Sequence, residues 1–165
     1  MGLVTRLYVD SNIFIYMFES VDDRAEKLRK LFLAERHGEK QFLTTSELTL
    51  SETLVGAYRR NDETLVEIYS SWTVSNAYLE VGPVQREILL CASILRATYD
   101  ALKLPDAIHL ATAFAFDCSH FLSGDQRLRD EYTFIDTRFQ RGNKSKRLTI
   151  LRPEIAALER LIDQH

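Results

Sequence analysis

The stretch Arg6-Leu7-Tyr8-Val9-Asp10-Ser11-Asn12 runs from an apolar strand into an acid and then into residues that start helices. Its consecutive apolar positions fit a strand covered on both faces rather than one with a wet side. Beyond it, a helical stretch begins near Asn12. A longer helix runs from about Asp22 to Arg36, with Ala25, Leu28, Leu31 and Phe32 on one stripe and Gly38 as its stop. Gln41 to Thr45 reads as a short strand. Thr44 and Glu47 have capping-box spacing, which predicts a helix from there to about Arg60. A further helix covers Asp62 to Trp72, and a strand over Ala77 to Val81 ends at Gly82-Pro83. Val84 to Tyr99 is amphipathic, with Ile88, Cys91, Ala92, Leu95 and Tyr99 on one side. Pro105 suits the first turn of a helix carrying Ile108, Ala111, Thr112 and Ala115. Strands are expected at Ser119 to Ser123 and Leu148 to Leu151. Pro153 then opens a last helix with Ile155, Leu158 and Ile162 on one face. The least regular part, about 131–147, reads as a basic insertion. Strands alternating with helices predict an α/β sandwich in one domain over residues 1–165, built on a mainly parallel central sheet.

Composition narrows the class. With 165 residues, 45% of them hydrophobic and 27% charged, the chain can build a core and remain soluble. It has no apolar run near the ~20 residues that span a membrane, and its N-terminus has neither a signal peptide nor a myristoylation pattern. Cys91 and Cys118 both fall in apolar segments without a second cysteine nearby. A reduced, cytoplasmic protein without a zinc site is expected. A net charge of −3 argues against coating nucleic acid by bulk electrostatics, though not against a local basic groove.

Four acids sit at or near the edges of predicted elements: Asp10, Glu52, Asp106 and Asp125. Each taken singly has a local explanation. Asp10 can cap a helix, Asp106 can favour a helix dipole, and Asp125 in Ser123-Gly124-Asp125 can shape a turn. Glu52 is harder to dismiss. It lies inside a helix between Leu48 and Val55, on a partly apolar face with no capping task. Glu47, the other acid of that helix, has the capping role instead. In open α/β sheets ligands gather at the carboxyl ends of strands, where Asp10 and Asp125 fall. Acids gathered there would repel one another unless a divalent cation lay between them. Mg²⁺ or Mn²⁺ suits an all-oxygen donor set, and phosphodiester hydrolysis is common chemistry for such sites.

The chain resembles the PIN-domain nucleases, and among them the VapC-like ribonuclease toxins of prokaryotic toxin–antitoxin pairs. Four segments carry the resemblance, in order: Val9-Asp10-Ser11-Asn12-Ile13-Phe14-Ile15-Tyr16, Leu48 to Gly56 around Glu52, Leu104-Pro105-Asp106-Ala107-Ile108-His109-Leu110-Ala111-Thr112-Ala113, and Phe121-Leu122-Ser123-Gly124-Asp125-Gln126-Arg127-Leu128. The resemblance implies a PIN-like three-layer sandwich with helices on both sheet faces. It implies Asp10, Glu52, Asp106 and Asp125 as ligands for Mg²⁺ or Mn²⁺, with Ser123 orienting an acid or a water. Asn12, with Ser11, would support Asp10. It also implies RNA as substrate, a 5′-phosphate product, a homodimer and a cognate antitoxin. Gly124 departs from the Asn common at that place, and the 131–147 stretch is longer than usual.

Rival readings fit less well. A haloacid-dehalogenase phosphatase wants an acid at position 12, which is Asn12, and a receiver domain wants a lysine on a late strand that neither candidate strand holds. A nucleic-acid-binding or interaction module without nuclease activity is the other alternative. His109, three residues after Asp106, is read as a packing or hydrogen-bonding histidine rather than a general base. Arg138, Arg141, Lys144, Lys146 and Arg147, with Arg59 and Arg60, would form either a basic wall for RNA at the cleft rim or a solvated surface. The distinction between the two helix acids is testable. Glu52→Gln should abolish Mn²⁺ uptake measured by calorimetry, and Glu47→Gln should leave it unchanged; the opposite result would move the ligand along the helix.

Overall fold

The computed structural model describes residues 3–34, 41–135 and 145–164, and among these six strands and seven helices form. The strands are β1 (Leu7–Val9), β2 (Leu43–Ser46), β3 (Leu79–Gly82), β4 (His120–Leu122), β5 (Glu131–Ile135) and β6 (Ser145–Leu151). They make one sheet in the order β3-β2-β1-β4-β6-β5. Every pairing is parallel except that of β5 with β6. From β1 the chain first builds outward through β2 and β3. It then returns to place β4 on the other side of β1. The reversal lies between β1 and β4, and the crevice of a doubly wound sheet opens there, at the strands' carboxyl ends.

The period of two along β1 divides the core. Leu7 and Val9 enter one apolar cluster with Ile13, Phe14, Leu28, Leu31 and Leu158. Tyr8 enters the other with Ile88, Leu95, Leu110, Phe121 and Leu148. The first cluster is covered by α1 (Ser11–Glu19), α2 (Asp23–Leu33), α3 (Glu47–Arg59), α4 (Glu63–Trp72) and α7 (Ile155–Asp163). The second is covered by α5 (Arg86–Thr98) and α6 (Leu104–Ala115). Helices on both faces of a mainly parallel sheet are the expected three-layer sandwich. Each β1 residue is at most 1% exposed, which is why its sequence lacks the alternation of a half-wet strand.

Several local expectations are corrected. The cap of α3 is Ser46, whose hydroxyl accepts from the Leu48 N–H at 3.3 Å. Thr44 belongs to β2 and accepts from Arg6 Nε at 2.8 Å, so no Thr44–Glu47 capping box forms. Glu47 is exposed, which removes it from the interior for a different reason than capping. Val55, expected inward beside Glu52, is 45% exposed. In α7, Leu158 and Leu161 are buried while Ile155 is 42% exposed, because the helix packs on α2 through a face turned from the expected stripe. The stretch from Glu131 is not irregular at its ends. Glu131–Ile135 and Ser145–Leu151 pair antiparallel as a ribbon at the sheet edge, and β6 starts three residues earlier than predicted. The α2 stop at Gly38 lies outside the described residues.

Gly82 ends the run Leu79–Gly82 inside β3, paired with Ser46. A Cβ there would lie 2.6 Å from Phe116 Cε2 and 2.7 Å from Thr112 Cγ2. The Phe116 ring cannot easily retreat, since the Arg6 guanidinium lies over it at 5.3 Å and donates to its carbonyl at 3.0 Å. Gly82→Ala should therefore lower stability by about 1–3 kcal/mol through overpacking, read as a lower urea midpoint with an unchanged slope.

Candidate active site

Asp10 comes directly after β1, and its N–H still bonds to Leu122 O at 3.1 Å, which extends the ladder with β4 by one residue. The same residue is the N-cap of α1: its Oδ1 accepts from Ser11 N at 2.8 Å. Its Oδ2 accepts from Asn12 Nδ2 at 2.6 Å and from Ser123 Oγ at 2.7 Å. Asn12 also donates to Ser123 Oγ at 3.0 Å, and its Oδ1 accepts from Gly124 N at 2.9 Å. Ser123 Oγ in turn accepts from Asp125 N at 3.0 Å. The ends of β1 and β4 are thereby locked together by Asp10, Asn12 and Ser123, the set that the sequence grouped. Gly124, where an Asn is common, leaves this lock intact: its N–H is the group Asn12 uses.

The other acids come from separate elements. Glu52 projects from the middle of α3, half-buried, and its Oε2 lies 2.9 Å from His109 Nε2. Asp106 lies in the first turn of α6, next to Pro105. Asp125 sits in the turn after β4, clasped by the Arg127 guanidinium through Nε at 2.9 Å and Nη2 at 2.6 Å. Asp10, Glu52, Asp106 and Asp125 all line one cleft of about 520 Å³, together with Asn12, Tyr16, His109, Arg24 and Arg127. The sequence-derived acids are thus brought together. Asp10, Glu52 and His109 each present a ligand atom within 4.8 Å of the others.

The electrostatics are uneven. Burial pushes the Asp106 carboxyl above the ordinary carboxylate range, and the charges of Asp10 and Asp125 push it further. Arg127 holds Asp125 below that range. Burial works to raise Glu52, but hydrogen bonds from His109 and Ser11 outweigh it and the net shift is downward. Crowded oxygen donors at the mouth of a parallel sheet, one of them strained toward its neutral form, are the environment a hard divalent cation relieves.

Some expectations are not met. Lys146 donates to Phe114 O at 3.0 Å and pairs with Asp117 at 2.6 Å, beyond the carboxyl end of α6, whereas Asp106 is at its amino end. Arg147 pairs with Glu131 at 3.4 Å. Both lie near the start of β6, which runs parallel to β4, so they sit at the sheet edge opposite the cleft. Arg60 pairs with Glu19 at 2.8 Å, at the end of α1 remote from Asp10, and neither it nor Arg59 lines the cleft. Arg138, Arg141 and Lys144 lie outside the described residues. Tyr8, whose sequence context reads as core, is indeed buried and also bonds to His109, while the sequence assigns no role to Arg24 or Arg127. Arg127 two places after Asp125 was visible as a turn partner; Arg24, in the first turn of α2, offered no signal.

A family model of the PIN domain matches residues 7–132. Among solved structures, a toxin–antitoxin complex from Klebsiella pneumoniae aligns with a TM-score of 0.56 and 22% identity, over 90% of this chain and 98% of that one. VapC20 of Mycobacterium tuberculosis, described as a Sarcin-Ricin loop cleaving toxin, aligns at 0.55 and 17% identity over 70% and 86%. VapBC2 from Rickettsia felis, bound to a DNA fragment from its promoter, aligns at 0.53 and 13% identity over 73% and 89%. A comparison with curated proteins finds no match.

The raised Asp106 has a consequence for the metal-free protein. A carboxyl whose folded pKa exceeds its unfolded one contributes stability that is complete below the unfolded pKa and lost as pH rises through the folded pKa. Asp106→Asn should therefore raise the melting temperature in chelator at pH 7. The gain should shrink as pH falls toward the ordinary carboxylate range, which thermal denaturation at a series of pH values would read.

Proposed function

The chain belongs to the PIN domain family, and on that basis we propose that it is a metal-dependent endoribonuclease, the toxin of a toxin–antitoxin pair. The observation that carries this reading is the convergence of Asp10, Glu52, Asp106 and Asp125 on one cleft at the sheet's switch point. These four carboxylates would hold Mg²⁺ or Mn²⁺. Bound there, the cation would lower the pKa of an attacking water and offset the charge of the scissile phosphate. The chain's own residues do the rest. Asn12 and Ser123 hold the Asp10 carboxylate in one orientation, and His109 bonds to Glu52. Arg24 and Arg127, the arginines lining the cleft, stand where an entering phosphate backbone needs positive charge, the role first expected of the basic stretch.

An unpaired RNA strand suits this cleft because it can bend phosphate-first toward the acids, which a duplex resists. In-line attack of water at the phosphorus would leave a 5′-phosphate and a 3′-hydroxyl. The neighbour described as a Sarcin-Ricin loop cleaving toxin supports RNA as the substrate class, and the Klebsiella complex supports an antitoxin partner. An antitoxin arginine entering among the acids would silence the site as a charge substitute for the cation. A homodimer is part of the same reading. The alternative, a binding module without nuclease activity, leaves the gathered acids without a task.

Purified protein should cleave single-stranded RNA in Mg²⁺ or Mn²⁺, leave 5′-phosphate ends and stop in chelator. Asp10→Asn should lower the rate by about 100-fold or more while the circular dichroism spectrum is unchanged. Cleavage that persists in chelator, or wild-type protein that binds RNA without cutting it in either metal, would overturn the assignment.

A further inference from the structure

His109 is 2% exposed and lies in α6, one turn beyond Asp106. A buried imidazole needs partners for both ring nitrogens. Nδ1 lies 2.7 Å from the Tyr8 hydroxyl, and Nε2 lies 2.9 Å from Glu52 Oε2. Tyr8 is fully buried in β1. Its ring stacks on Phe121 at 4.8 Å and 14° and meets His109 edge-on at 5.8 Å. Neither ring can turn away without leaving the core. A phenol carries its proton at neutral pH, and 2.7 Å from Nδ1 the Tyr8 hydroxyl is placed to donate to it. The carboxylate at the other nitrogen accepts only, so a proton must lie on Nε2. The Asp10 carboxylate, 3.9 Å from Nε2, is too far to share it.

We infer that Tyr8 and His109 are positioning residues for Glu52: the Tyr8 hydroxyl donates to Nδ1, which places the ring proton on Nε2, and Nε2 donates to Glu52 Oε2. His109 is then no metal ligand, although its ring nitrogen stands within ligand range of the two acids. The bond to Oε2 would fix the orientation in which Glu52 presents its carboxylate to a cation. The relay runs from β1 through α6 to α3, so it ties an acid on a helix to a fully buried strand. A glutamate has three rotatable bonds, and without such a tie its carboxylate would lack the fixed orientation that Asp10 and Asp125 receive from their hydrogen bonds. The inference rests on the reading of the cleft as a metal site, and its test separates the two.

The ring proton is read directly by ¹⁵N NMR of the metal-free protein, with His109 assigned by comparison with His109→Gln. The Nε2-protonated form is expected in the wild type; a Nδ1-protonated ring would overturn the inference. Mn²⁺ affinity by calorimetry supplies the second readout. The amide of His109→Gln can replace the Nε2–H donor and should stay within about 3-fold of wild type, while His109→Ala should weaken Mn²⁺ binding by about 10–100-fold. Tyr8→Phe should lose several-fold in affinity and mix the two tautomers. Equal losses for His109→Gln and His109→Ala would make His109 a ligand or a space-filler and sink the proposal. Wild-type protein that takes up no Mn²⁺ would instead overturn the metal reading, with the tautomer still reporting on the Tyr8–His109 bond.

Discussion

Asp10 is 8% exposed at the end of the central strand, and a carboxylate so placed must find donors or give up its charge. It has three: the Ser11 N–H, the Asn12 amide and the Ser123 hydroxyl. Two of them come from its own next turn and one from the end of β4, far along the chain. The same contacts therefore satisfy the charge, start α1 and fasten β1 to β4. Ser123 is fully buried and bonds onward to the Asp125 N–H, so the second strand-end acid inherits its place from the first. The cleft is a consequence of this lock. Where β1 and β4 end together, the topology leaves the helices on either side to diverge, and the space between them is lined by the residues just past each strand end.

The acids around that space are not equivalent. Asp125 has Arg127 across its carboxylate, and Glu52 has His109. At Asp106, burial and the charges of Asp10 and Asp125 outweigh the more distant Arg127, and its pKa rises. The arrangement also bears on what can approach. Arg127 sits on the rim, two-thirds exposed, with its charge spent on Asp125 in this state.

Much of this was readable along the chain, because the information involved is local. Helix starts, apolar stripes and strand ends are set within a few residues, so the alternation of elements, the buried character of β1 and the four acids could be found without tertiary contacts. Asn12 and Ser123 beside Asp10 were reachable through resemblance alone. Errors arose where two local signals competed. Thr44-to-Glu47 spacing matched a capping box, but β2 kept Thr44 because Arg6 and the pairing with β1 and β3 satisfied it there. Glu131 to Ile135 looked irregular because it is short and runs into a basic polar stretch, and its pairing with β6 is not written in either segment alone.

The order of residues is thus enough to set the elements and the chemistry available at their ends, whereas packing in three dimensions settles which groups face one another. The basic residues Lys146 and Arg147 illustrate the difference: their charge was evident, but β6 runs parallel to β4, and that direction puts its start at the far edge from the cleft. Tyr8, His109 and Glu52 show it again. They lie on β1, α6 and α3, separated by 101 and 57 positions, and meet because the sheet order brings those elements together and the packed rings leave one orientation open. Periodicity encodes which face of an element is apolar; it does not encode which neighbour that face meets, and a hydrogen bond depends on the neighbour.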